Sequence, residues 1–146
     1  MVIDASDVRR RYGETVALDG VSFAVDAGEI FSLIGPNGAG KTTLIRALFG
    51  TTDAEGDISV FGRRPIEVDR GRVGLLPQEF TPADRLTARE LIAYYAGLYD
   101  DARDPDAVLA DVGLADSAGT FYENLSGGQK RRACVGSTLV NDPELL

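Results

Sequence analysis

The sequence lacks the features that mark secreted, disulfide-linked or membrane-spanning chains. It has one cysteine, Cys134, among 146 residues, so no intramolecular disulfide can form and the thiol is interpreted as a small apolar side chain. Its apolar runs are far shorter than the roughly 20 residues that a membrane-spanning helix needs. No signal peptide, internal repeat, low-complexity segment or flexible linker is present. These absences predict a soluble, cytoplasmic globular protein.

Positive charge is also scarce. Fifteen basic residues face 23 acidic ones, which gives a net charge of −8, and only Lys41 and Lys130 are lysines. An acidic surface repels the phosphates of nucleic acids and anionic lipids. We therefore expect no nucleic-acid partner.

One glycine-rich segment carries the strongest functional signal. It fits the phosphate-binding pattern G-x-x-x-x-G-K-[ST], follows the apolar run 30–34, which predicts a buried strand, and precedes a helical pattern over 43–49. Glycines allow a tight turn whose N–H groups point inward, and the following helix directs its positive dipole end to the same place. The predicted binding segment comprises Gly35, Pro36, Asn37, Gly38, Ala39, Gly40, Lys41, Thr42 and Thr43.

The roles within this segment follow from its chemistry. Lys41 can reach the β and γ phosphates as a point charge, and the Thr42 hydroxyl is the expected protein ligand of Mg²⁺. The alternative is a glycine-rich turn that merely caps a helix, but the flanking strand and helix patterns favour the phosphate site. The sequence therefore predicts binding of a nucleoside triphosphate with Mg²⁺.

A second motif, Leu-Ser-Gly-Gly-Gln at 125–129, directly precedes a predicted helix over 130–140. Paired glycines at a helix start disfavour the helix by about 1 kcal/mol each relative to alanine, so they suggest close approach of another group to the backbone. Taken alone, the motif is equally well explained by Ser126 capping the helix. Its binding candidates are Ser126, Gly127, Gly128 and Gln129.

Together the two motifs resemble the ATP-binding cassette (ABC) family, whose five-residue signature is matched at every position from Leu125 to Gln129. The resemblance implies that Tyr12 stacks on adenine and that Gln78 contacts Mg²⁺ and water at the γ phosphate. An ordinary edge-strand tyrosine and a solvated loop glutamine are the alternatives. The catalytic candidates are accordingly Lys41 and Gln78, and the metal candidates are Thr42 and Gln78.

Other parts of a cassette are missing from this sequence. The family places an apolar strand ending in Asp-Glu (Walker B) after the signature helix, and later a switch histidine, whereas this chain reaches only position 146 and contains no histidine. Asp142 and Glu144 flank Pro143 ahead of the apolar run, so we reject them as the catalytic pair. We expect the first part of a cassette, which binds ATP without turning it over when alone.

The predicted fold is α/β: a P-loop NTPase core with an antiparallel β subdomain and a helical signature subdomain, incomplete at the C-terminus. The β subdomain and core cover 1–79, with strands near 2–3, 21–25 and 58–61. The helical subdomain covers 80–125, with a capping box at Thr87, an apolar face from Leu91 to Tyr99 and a helix start at Asp104-Pro105. The signature helix and the approach to Walker B cover 126–146.

The resemblance leaves three function classes open. The first is the ATP-hydrolysing subunit of a membrane transporter, most like drug exporters, which pairs head to tail with a second ABC subunit and docks on a separate transmembrane permease. That role would place it on the inner face of the cell membrane. The second is a soluble cassette ATPase of translation or repair, although the helical segment is too compact for a long coiled coil. The third is a non-catalytic nucleotide-binding fragment.

Overall fold

A computed structural model describes residues 1–146, and the chain forms two compact units, Met1–Val68 and Asp69–Leu146. Three β-strands and four α-helices make it a mixed α/β protein, as the sequence predicts. None of the helices combines the length and the hydrophobicity of a membrane-spanning segment.

The first unit is built on a three-stranded antiparallel sheet. Strands β1 (Ile3–Tyr12), β2 (Thr15–Val25) and β3 (Glu55–Val60) lie in the order β2-β1-β3, so the predicted antiparallel sheet is confirmed. Helix α1 (Lys41–Leu48) packs on it, and Ala5, Val8, Leu18 and Leu44 form the buried core between them.

The predicted strand at 30–34 is absent from this sheet. Its apolar sequence is typical of a strand buried on both faces of a parallel sheet, but no strand pairs with it here, and a strand forms only where a neighbour takes its backbone hydrogen bonds. Ile30 and Ile34 are consequently almost fully exposed. Two side chains of this segment pack against the unit. The Phe31 ring stacks on Phe23 at a centroid distance of 4.9 Å, and Leu33 packs against the core.

The second unit is helical. Helices α2 (Ala88–Ala96), α3 (Pro105–Asp111) and α4 (Gly127–Leu139) surround a core that includes Leu91, Ile92, Val108, Leu109 and Ala133. The predicted capping box at Thr87 and the cap at Asp104 are both formed, because each side chain accepts a hydrogen bond from a backbone N–H of its first turn.

The apolar face predicted for α2 extends too far. The helix ends at Ala96, so Leu98 and Tyr99 lie beyond it and are exposed, while Tyr95 is half-buried against the core. The glycine at position 97 takes the C-cap, and the chain turns there before the spacing of the pattern is complete.

Segment 72–77 forms no strand, and it pairs only through one parallel bridge, between Val73 and Leu145. Here Gly74 donates its N–H to the Leu145 carbonyl at 2.8 Å, and the Arg72 guanidinium forms a two-point ion pair with Glu144 at 2.5 and 2.8 Å. A short 3₁₀ turn over 70–72 precedes the bridge, and with no longer partner segment the rest of the run stays irregular.

Candidate functional site

The glycine-rich loop of the first unit leads directly into α1, as the phosphate-binding pattern predicts. Gly38 and Gly40 adopt left-handed backbone angles, with φ of +83° and +85°, that glycine alone enters without strain. Gly40 also lies so close to β2 that a Cβ there would be 2.1 Å from the Ala17 carbonyl oxygen. Backbone conformation and packing therefore both require glycine at position 40.

The loop leaves a group of backbone donors unpaired. Gly40 occupies the N-cap position of α1 and provides no side-chain cap, and the first bond of the helix runs from the Leu44 N–H to the Gly40 carbonyl. The amides without an acceptor in the protein include those of Gly38, Gly40, Lys41, Thr42 and Thr43. Unpaired N–H groups at a helix N-terminus form a site suited to an anion.

Lys41 is held over this loop. Its Nζ lies 2.7 Å from the carbonyl oxygen of Gly35 and 2.7 Å from that of Pro36. An ammonium has three N–H donors, so one remains for a phosphate oxygen. The exposed Thr42 hydroxyl forms no hydrogen bond within the protein and is free to act as an oxygen ligand. Asn37 and Ala39 lie in the same exposed loop.

Tyr12 lies at the end of β1, in the same unit as the loop. Its hydroxyl is 3.4 Å from the Thr52 hydroxyl oxygen, and its pKa is lowered, first by that hydrogen bond and then by contacts with Arg10 and Thr43. Because Thr43 belongs to the first turn of α1, these contacts bring the tyrosine beside the glycine-rich loop. The residue as a whole is 45% exposed, so part of its surface is accessible to a base.

Two neighbours of Tyr12 were not predicted from the sequence. Arg10 lies with its guanidinium carbon 4.8 Å from the centre of the Tyr12 ring. Its position two residues before the tyrosine could have suggested this contact, because residues i and i+2 of a strand share a face. Thr52 lies 40 residues away in sequence, and no local signal points to it.

The signature motif lies in the second unit, at the start of α4. Ser126 is the N-cap: its hydroxyl accepts a hydrogen bond from the Gln129 N–H at 3.2 Å, while the Gln129 side-chain oxygen accepts one from the Ser126 N–H at 2.9 Å. The capping interpretation is therefore realised, in the form of a reciprocal capping box. The Gln129 amide also donates to the Ser117 hydroxyl at 3.2 Å.

The capping box accounts for the presence of Ser126 and Gln129 at these positions, but not for the two glycines between them. Gly127 and Gly128 are exposed and have no left-handed backbone angle. A Cβ at either position would meet no atom of this chain within 4 Å. Nothing inside the protein therefore requires glycine at these two positions.

Gln78 also belongs to the second unit. It is exposed, lies in the irregular segment after the Val73 bridge and forms no hydrogen bond through its side chain. The predicted site residues thus fall into two sets: the loop and Tyr12 come together in the first unit, and Gln78 and the signature belong to the second.

A glycine-rich loop with free amides and a tethered lysine, leading into a helix of a mixed α/β fold, defines a nucleotide-binding protein of the phosphate-loop class. A sequence model of the family described as "ABC transporter" matches residues 18–146. The chain belongs to the ABC transporter family.

Individual relatives are named as ATP-binding proteins of both export and import. The chain is 37% identical over 166 residues to the Nod factor export ATP-binding protein I of Rhizobium meliloti (strain 1021), covering 100% of this chain and 46% of that protein. It is 40% identical over 158 residues to the methionine import ATP-binding protein MetN of Rhizobium johnstonii, covering 99% and 44%. It is 35% identical over 154 residues to the linearmycin resistance ATP-binding protein LnrL of Bacillus subtilis (strain 168), covering 99% and 50%. The chain spans about half the length of these relatives.

Solved structures share the fold. One described as the ATP binding subunit of an ABC transporter superimposes with a TM-score of 0.75 at 25% identity, covering 98% of this chain and 63% of that one. A bacterial Atm1-family ABC exporter with ATP bound gives a TM-score of 0.77 at 31% identity, covering 97% and 28%.

Proposed function

We propose that this chain is the nucleotide-binding part of an ATP-hydrolysing ABC transporter subunit. In this role it binds MgATP at the glycine-rich loop, pairs head to tail with a second ABC subunit, and transmits closure of the pair to a separate transmembrane permease from the cytoplasmic side. The relatives are ATP-binding proteins of Nod factor export, methionine import and linearmycin resistance, so the proposal assigns no cargo and no direction.

The observation that carries the proposal is the donor arrangement at the loop. The five unpaired amides and the third N–H of Lys41 all belong to the loop and the first turn at the positive end of α1. A triphosphate supplies the charge and the acceptor oxygens that these donors lack. The free hydroxyl of Thr42 fits a hard cation that prefers oxygen ligands, so Thr42 would hold Mg²⁺ here. When bound, Mg²⁺ would neutralise charge on the phosphates.

The signature glycines support a second subunit. Because neither the backbone nor the packing of this chain requires glycine at 127 and 128, a requirement for glycine there would come from a group outside the chain. Close approach of a phosphate to the exposed helix start would provide one, since a side chain at either position would occupy that space. We infer that this helix start faces the ATP held by another subunit. Gln78, in the same unit, is proposed to contact the γ phosphate region.

The first experiment removes the loop cation. Lys41→Ala should weaken MgATP binding about ten- to a hundredfold, because a charge-assisted hydrogen bond contributes about 1.5–3 kcal/mol. The matched control is Lys130→Ala, which deletes the other lysine, located in the second unit with its Nζ 5.4 Å from the centre of the Tyr122 ring. Titration calorimetry at fixed salt measures both. Equal affinity in wild type and Lys41→Ala would refute the nucleotide site.

The second experiment tests the pairing. Gly128→Glu should leave ATP affinity unchanged but abolish ATP-dependent association, because the new carboxylate would meet the phosphates of the partner's nucleotide. Gly119→Glu is the matched control, since Gly119 lies in the same unit and a Cβ there also meets nothing within 4 Å. Sedimentation velocity with and without MgATP reads the association. Normal association of the Gly128 variant would rule out the head-to-tail arrangement.

A further inference from the structure

Arg10 differs from the arginines on either side of it. Arg9 is paired with Asp7 and Asp19, and Arg11 reaches the Glu14 carbonyl oxygen. The Arg10 Nε is buried and has no hydrogen-bond partner. A buried N–H without an acceptor is unfavourable, so some other interaction must hold this side chain in place.

The contact that Arg10 makes is with Tyr12. Its guanidinium carbon lies 4.8 Å from the ring centre, within the range of a cation–π interaction. The Thr52 hydroxyl contacts the other end of the tyrosine, at its hydroxyl group, with an oxygen–oxygen distance of 3.4 Å. The ring is thus fixed at its face by Arg10 and at its tip by Thr52.

A fixed Tyr12 ring can contribute to binding only if its exposed surface contacts the ligand. Tyr12 is 45% exposed and lies beside the first turn of α1 through its contact with Thr43. An immobilised aromatic ring stacks on a base with a smaller loss of conformational freedom than a mobile one. Resting on the nucleotide site proposed above, we propose that Arg10 is a positioning residue that braces Tyr12 from one face so that the opposite face stacks on the base of the bound nucleotide.

The test separates base binding from phosphate binding. The affinities of the 146-residue chain for MgATP and for Mg-tripolyphosphate, which has no base, are measured by calorimetry for wild type, Arg10→Gln and Arg11→Gln. Arg10→Gln should weaken ATP binding about two- to fivefold, the range of an exposed cation–π contact, and leave tripolyphosphate unchanged. Arg11→Gln, which removes the same charge from the adjacent position, should change neither affinity.

A double-mutant cycle supplies the second readout. In a Tyr12→Ala background, Arg10→Gln should have no further effect on ATP affinity, because the residue acts only through the ring. Arg10→Lys keeps the charge but not the planar guanidinium, so a smaller loss confined to ATP is expected. If circular dichroism shows that Arg10→Gln is unfolded, Arg10→Lys is used in its place. Its affinities for MgATP and Mg-tripolyphosphate are then compared in the same way.

Three results would overturn the inference: equal losses for ATP and tripolyphosphate, an effect that persists without Tyr12, or unchanged or tighter ATP binding. Tighter binding would mean that Arg10 covers the ring face that the base needs. Failure of the nucleotide site itself is distinguishable, because Lys41→Ala would then leave both ligands unaffected. If Lys41→Ala weakens both ligands and Arg10→Gln weakens neither, only the role of Arg10 is wrong.

Discussion

Two glycines of the phosphate loop allow backbone strain and steric overlap to be measured separately. Gly38 and Gly40 have nearly the same left-handed angle, +83° and +85°. A Cβ at Gly38 would meet nothing within 4 Å, whereas a Cβ at Gly40 would be 2.1 Å from the Ala17 carbonyl oxygen and 3.1 Å from the Leu18 side chain. The two alanine substitutions therefore share the cost of backbone strain, and only Gly40→Ala adds the cost of steric overlap.

The magnitudes follow from these geometries. Alanine in the left-handed region costs about 1–2 kcal/mol, so Gly38→Ala should reduce the free energy of unfolding by about that amount. Gly40→Ala adds an overlap with backbone that cannot rotate away, and forced overpacking costs about 1–3 kcal/mol more. We expect a total of about 2–5 kcal/mol for Gly40→Ala.

Urea unfolding followed by far-ultraviolet circular dichroism gives both values, and calorimetry gives the MgATP affinity of each folded variant. Gly40→Ala should also bind MgATP more weakly than Gly38→Ala, because relieving the overlap moves the start of α1 away from β2. Equal destabilisation by the two substitutions would refute the reasoning, since it would mean that the contact with Ala17 contributes nothing.

Three further predictions concern the second unit. Gly136→Ala places a Cβ 2.8 Å from the Ile92 Cδ1, so it should destabilise the unit by up to about 2 kcal/mol. The Ile92→Val substitution removes that atom. In this background Gly136→Ala should instead stabilise the unit by up to about 1 kcal/mol, because alanine favours the helix over glycine. Urea unfolding of the four proteins tests whether the sign reverses. Ser126→Ala should cost about 1 kcal/mol of stability through loss of the α4 cap, measured in the same way, and no change would contradict the capping box. The hydrogen bond from Arg72 lowers the pKa of Glu144, so the stability that the pair adds is present above the unfolded pKa of about 4.3 and is lost as pH falls through the lower folded value. The stability difference between wild type and Glu144→Gln should therefore close between pH 7 and pH 2, and a constant difference would exclude the ion pair as its source.

Local signals in the sequence predicted the helices and the caps well. The capping boxes at Thr87 and Ser126 depend on residues three positions apart, and the α3 start at Asp104 depends on the proline that follows it. Such features are stabilised within one helical turn, so the sequence alone is sufficient to identify them.

Features that depend on distant partners were predicted less well. The apolar run at 30–34 has the composition of a buried strand, but strand formation needs a neighbour, and no property of the run itself tells whether one is present. The contact of Tyr12 with Thr52 and the ion pair of Arg72 with Glu144 also join residues far apart in the chain. Sequence spacing carries no information about such pairs.

The two carbonyl contacts of Lys41 have a thermodynamic consequence for ligand capture. A free lysine side chain has about 2 kcal/mol of rotamer entropy, and much of it would be lost when the ammonium binds a phosphate. Because the Gly35 and Pro36 carbonyls already restrain the ammonium, that loss occurs when the loop folds and not when the nucleotide arrives. A variant that shifts either carbonyl would therefore make the binding entropy less favourable even with the lysine charge intact.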